Sequence, residues 1–107
     1  MAKYLIKAKY LAEGEKGLLH DGGTGRRAAV TKAVEALGGS VHDFYYAFGD
    51  VDCYVIVDAP DASAAFALTM AVNASGTVHI ETIPLLTCEE VDAACHLHVS
   101  YRAPKAE

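Results

Sequence analysis

Hydrophobic and polar positions along the chain fall into four stretches of period two and three of helical spacing. Residues 3–12 (KYLIKAKYLA) alternate, with Tyr4, Ile6, Ala8 and Tyr10 on one side and Lys7 and Lys9 on the other, and predict a first strand. Residues 40–48 (SVHDFYYAF) and 51–58 (VDCYVIVD) predict a second and third strand, rich in β-branched and aromatic side chains. The Gly49-Asp50 pair between them predicts a tight hairpin. Residues 77–83 (TVHIETI) alternate again and predict a fourth strand, which Pro84 ends. Val30, Ala33, Val34 and Leu37 are spaced i, i+3, i+4 and i+7, so a helix is expected from a cap at Thr24 to a left-handed end at Gly38-Gly39. Asp61, after Pro60, caps a second helix over residues 62–74, closed by Ser75-Gly76. Thr87 and Glu90 form a capping box that opens a last helix of about ten residues. Residues 13–23 (EGEKGLLHDGG) hold four glycines among charges and predict a loop, because each glycine costs a helix roughly 1 kcal/mol relative to Ala.

The order β-α-β-β-α-β-α predicts an α+β fold, the ferredoxin-like βαββαβ sandwich. Its antiparallel sheet runs in spatial order 4-1-3-2, with both long helices on one face and a further helix after the fourth strand. A single domain is expected over residues 1–99, followed by a tail over 100–107. Alternation then sorts the sheet faces. The helix side takes Tyr4, Ile6 and Ala8, then Phe44, Tyr46 and Phe48, then Val51, Cys53, Val55 and Val57, and finally Val78 and Ile80. His42 falls on the same apolar side and reads as a satisfied edge histidine. The other side is left with Lys7, Lys9, Asp43, Tyr45, Asp52, Tyr54, Asp58, His79 and Glu81, among apolar Leu5 and Ile56.

Composition narrows the function. The chain has 107 residues, a formal charge of -5 and 52% hydrophobic residues, which suits one small domain and leaves no room for a second core. Nucleic acid is not an expected partner, because no basic stripe is present to displace counterions. Lys3, Lys7 and Lys9 interrupt the first ten residues, so no signal peptide is read there, and no run reaches the ~20 apolar residues of a membrane span. Cys53, Cys88 and Cys95 lack CxxC spacing and fit a reducing compartment, so a cytoplasmic location is expected.

Chemistry is then sought on the uncovered face. Lys7 or Lys9 would hold an anion, Asp52 or His79 would act as a base, and Tyr45 or Tyr54 as donors, with Glu81 beside them. Asp52, His79 and Tyr54 are the leading catalytic candidates. A solvated face, a polar dimer interface and a pocket lining are all compatible with this residue set. The helix over 62–74 (ASAAFALTMAVNA) carries no charge, which points to a subunit contact or a neutral surface. The glycine-rich stretch at Gly22, Gly23 and Gly25 matches neither GxGxxG nor GxxxxGK[ST], so Arg26 and Arg27 are expected to pair with Asp21 or Glu35 or to stay solvated. Cys88, Cys95, His96 and His98 show neither CxxC nor HExxH spacing, so neither a metal nor a cofactor is expected. Cys88, at a helix start, reads as a small residue filling the first turn.

The stretches KYLIKAKY, EGEKGLL, GGTGRRAAV, ALGG, FYYAFGDVDCYVIVD and PLLTCEEVDAA with SYR resemble the GYD domain family of small bacterial proteins, over nearly the whole chain. Gly49 and Asp52 match the family's Gly-Tyr-Asp signature, and Val51 stands where the tyrosine is expected. The resemblance implies a dimeric α/β barrel, in which two ferredoxin-like sheets pack through their bare faces and enclose a cavity. It brings no catalytic residues. The expectation is a homodimer or higher assembly that binds a small organic or anionic ligand between its sheets. The alternatives are a cofactor-free isomerase or oxygenase using Asp52 or His79, and an oligomerisation module without ligand.

Overall fold

Period-two alternation does build one sheet. The computed structural model describes residues 1–106, with β1 at Ala2–Tyr10, α1 at Ala12–Ala36, β2 at Ser40–Tyr46, β3 at Cys53–Ala59, α2 at Ala62–Ala74, β4 at Val78–Leu85 and α3 at Cys88–Cys95. The strands are ordered β2-β3-β1-β4 and every pairing is antiparallel, as the ferredoxin-like reading requires. α1 packs mainly on β2 and α2 on β4, so both helices cover the same face. The core between them and the sheet is made by Tyr4, Ile6, Ala8 and Tyr10, by Cys53, Val55, Val57 and Ala59, and by Val78 and Ile80, with Val34 and Ala65 from the helices.

α2 has the expected bounds, and Asp61 caps it by accepting from the Ala64 N–H at 2.8 Å. At the end of α1, Gly38 takes a positive φ, its N–H donates to Glu35 and the Gly39 N–H donates to Val34, closing the helix as a Schellman motif. α3 opens on the complete Thr87 and Glu90 capping box.

Four expectations are corrected. Residues 13–21 are helical, not a loop, because α1 begins at Ala12 with Glu13 and Glu15 in its first turn, where acids favour the helix dipole. The only non-helical residue in α1 is Gly22 (φ 75°, ψ 167°), a conformation that only glycine adopts readily, and the helix resumes after it. The β2–β3 connection is longer than a two-residue hairpin, since β2 stops at Tyr46 and β3 starts at Cys53. Phe48 and Val51 therefore sit in the turn, with Phe48 fully exposed. β4 runs through Pro84, which an edge strand tolerates because the missing N–H faces away from the ladder. Finally, β2 is irregular between Val41 and Asp43, so Val41 and Phe44 share the helix side and His42 swings toward Asp58. His42 is thus not an apolar-side histidine.

Among the described residues no helix is long and apolar enough to cross a membrane. Beyond β4 the chain leaves the body. α3 has no buried residue, every residue from 96 to 106 is exposed, and the radius of gyration is 17.2 Å. A compact domain of ~100 residues has a radius of gyration of about 13 Å.

Candidate functional site

Antiparallel register places the uncovered-face side chains in rows across the four strands, since residues opposite one another share a face. One row holds Asp43, Ile56, Leu5 and Ile83, so three apolar side chains sit side by side on β3, β1 and β4. The next row holds Tyr45, Tyr54, Lys7 and Glu81. Lys7 and Tyr54 are half-buried there, whereas Tyr45 and Glu81 are exposed. Beyond it, Lys9 lies opposite His79 on one side and reaches Asp52 on the other, at 3.7 Å. On the other flank of the apolar row, Asp58 accepts from Lys3 at 3.1 Å and pairs with His42. These two bonds, the His42 one first, hold the Asp58 carboxyl below the usual aspartate range.

Seven residues were expected to form the site. Lys7, Tyr45, Tyr54 and Glu81 come together in one row, and Lys9, Asp52 and His79 in the next. Asp52 and His79 lie on opposite sides of Lys9. The Asp52 carboxylate is already engaged: it accepts from the Tyr10 N–H at 2.8 Å, while its own N–H donates to the Ala8 carbonyl at 2.9 Å. The carboxylate thus takes the place of a ladder partner where β3 begins.

The helix side holds a feature that the sequence reasoning missed. A cleft of about 150 Å³ lies over the sheet between α1 and α2, lined by apolar residues such as Val30, Phe44, Leu68 and Val72, with Tyr10 and Cys53 among them and Arg26 as its single charged group. Arg26 pairs with Asp21 at 3.6 Å. Burial pushes the Cys53 thiol up to about 11, reinforced by the Asp52 charge, and so keeps it protonated at neutral pH. Tyr46 donates to the Gly23 carbonyl at 2.9 Å, and burial raises its hydroxyl to about 12. Tyr10 is raised too, chiefly by burial, with Arg26 opposing. A wider, open recess of about 430 Å³ adjoins this end and is lined by Tyr10, Tyr46 and Asp52. The available clue was that Tyr4, Tyr10, Tyr46 and Cys53 are the polar-tipped members of an otherwise apolar inward set.

Arg26 pairs with Asp21, one of the two partners foreseen for it. Cys88 and Cys95 are exposed free thiols, and no group of three or more His, Cys, Asp or Glu among the described residues is placed to hold a metal.

No curated protein and no solved structure matches the chain. A family model does, and it covers β1, α1, the β2–β3 turn with Gly49 and Asp52, α2, β4 and α3. With the GYD domain model matching residues 4–95, the chain belongs to the GYD domain family.

Proposed function

We propose that this chain works as a homodimer closed through its uncovered sheet face, and that it holds a small organic anion between the two sheets. The apolar row of Ile56, Leu5 and Ile83, on a face that no helix covers, carries the proposal. An apolar centre with a polar rim is the usual anatomy of a subunit contact. The charges also suit self-association. Lys3, Lys7 and Lys9 run along central β1, while Asp58 and Glu81 stand on its neighbours β3 and β4 and Asp43 on the outer strand β2, so a rotated copy can set acids against lysines. Lys7 and Lys9 would anchor the anion, Tyr45 and Tyr54 would donate to it, and His79 and Glu81 would complete the rim. Three free cysteines fit a reducing cytoplasm as its location.

Catalysis is not part of the proposal. The Asp52 carboxylate is taken up by the Tyr10 N–H and Lys9, and that lysine stands between it and His79, so the two candidate bases do not act on one point.

A second reading puts the ligand under the helices, favoured by the cleft of about 150 Å³ with Arg26 at its wall. A cavity of about 150 Å³ is large enough to hold benzene. Titration of the isotopically labelled protein with benzoate, followed by amide NMR, separates the two. Shifts at Lys7, Tyr45 and Tyr54 that vanish in Lys7→Ala are the expected result. Shifts at Arg26, Ala29 and Val30 would move the site to the cleft, and no shifts at either place would overturn ligand binding.

A further inference from the structure

Leu97, Val99 and Tyr101 alternate with His96, His98, Ser100 and Arg102, the period of a half-buried strand. The three apolar side chains are 72%, 75% and 75% exposed, and residues 98–106 form no helix or strand. The segment also follows an eight-residue helix that buries nothing, although isolated helices of fewer than ~12 residues are marginal in water even when capped. This is a strand pattern with neither sheet nor core. The segment lies just past the stretch that the family model matches, residues 4–95.

The sheet has two edges, and they are finished differently. At β4 the Asn73 side chain takes both backbone groups of Ile80, its Oδ1 accepting from the N–H at 2.7 Å and its Nδ2 donating to the carbonyl at 3.2 Å. Pro84 removes a further donor from that strand. At β2 the protection is the irregularity at His42, which breaks the first half of the strand. Among the described residues no side chain hydrogen-bonds to the backbone of residues 43–46, and the exposed Tyr45 and Phe48 stand beside that half. Charge agrees with pairing there: residues 96–102 carry Arg102 and no acid, whereas β2 and its turn carry Asp43, Asp50 and Asp52 and no Lys or Arg.

We propose that residues 96–102 add as a strand to the β2 edge of a second copy of this chain, with Leu97, Val99 and Tyr101 packing beside Tyr45 and Phe48. The second copy is the occupant because the arm and the edge are both unpartnered on one chain. In a two-fold pair each arm then satisfies the other's edge, residue for residue. The chain's own arm leads away from its body after β4, as the large radius of gyration records. This contact is separate from the sheet-face contact proposed above and rests on different residues.

Amide hydrogen exchange on the full chain, measured across a dilution series, is the test. The expected result is slowed exchange in residues 96–102 and 43–46 together at high concentration, lost from both on dilution. Val99→Pro, which removes one strand donor at an exposed position, should abolish the slowing in both segments while leaving exchange in β1 and β3 unchanged. Fast exchange in residues 96–102 at every concentration would overturn the proposal. So would protection that ignores dilution, which would place the arm on its own chain, or protection that survives Val99→Pro.

Discussion

Asp52 sits where β3 begins, and its carboxylate holds the Tyr10 N–H that the sheet ladder leaves unpaired. Asp52 therefore has a structural role here: it ties the β2–β3 turn to the end of β1. The neighbouring Cys53 is 1% exposed and its thiol is pushed up to about 11, so it is chemically silent in the native fold. A thiol reagent at neutral pH should titrate Cys88 and Cys95 in the native protein and all three cysteines after denaturation. A third native equivalent, reacting as fast as the others, would contradict the burial of Cys53. Asp58 titrates instead. Its folded pKa is lowered by His42 and Lys3, so its contribution to stability is present above the unfolded value of about 3.9 and is lost as pH falls through the folded one. Asp58→Asn should be less stable than the parent at neutral pH, and denaturant melts should show the difference shrinking as the pH drops below about 4. Roles of this kind were only partly legible in the sequence. Alternation placed Asp58 on the uncovered face correctly, but it sent His42 to the wrong side, because a β-bulge inserts one residue and shifts the period without any marker in composition.

The helices show where reading by local propensity stops. α2 was legible because Asp61 and the Ser75-Gly76 end punctuate it. The first half of α1 was not, because its glycines read as flexibility. Gly14 serves contact instead: a Cβ there would lie 2.0 Å from the Thr77 carbonyl oxygen, beside the bond from the Leu11 N–H to the same oxygen. Gly17, one turn on, meets nothing within 4 Å. The two glycines should therefore respond oppositely to Ala. Gly14→Ala should destabilise the fold by about 1–3 kcal/mol, the usual cost of overpacking. Gly17→Ala should stabilise it by roughly 0.5–1 kcal/mol through helix propensity. Thermal unfolding of the two variants checks both signs. Equal responses would mean that the close approach at Thr77 does not constrain α1.

On the scale of the whole molecule, one chain leaves four surfaces unfinished: the row of Ile56, Leu5 and Ile83, the exposed Phe66 and Met70 on the charge-free α2, the β2 edge, and the arm after β4. The ferredoxin-like topology was legible because element order and period fix it. What meets these surfaces was not, since one sequence encodes its own contacts and those with a second copy in the same hydrophobic pattern. The helix-side cleft was hidden for a related reason: inward alternation identifies which residues face the helices but not how far apart the helices stand. Sedimentation equilibrium across a concentration series decides whether the uncovered sheet face is a subunit contact. A species of twice the 11.3 kDa chain mass is expected in the micromolar range, with Leu5→Asp moving its dissociation to markedly higher concentration. An 11.3 kDa species at every concentration, or association that Leu5→Asp leaves unchanged, would contradict it.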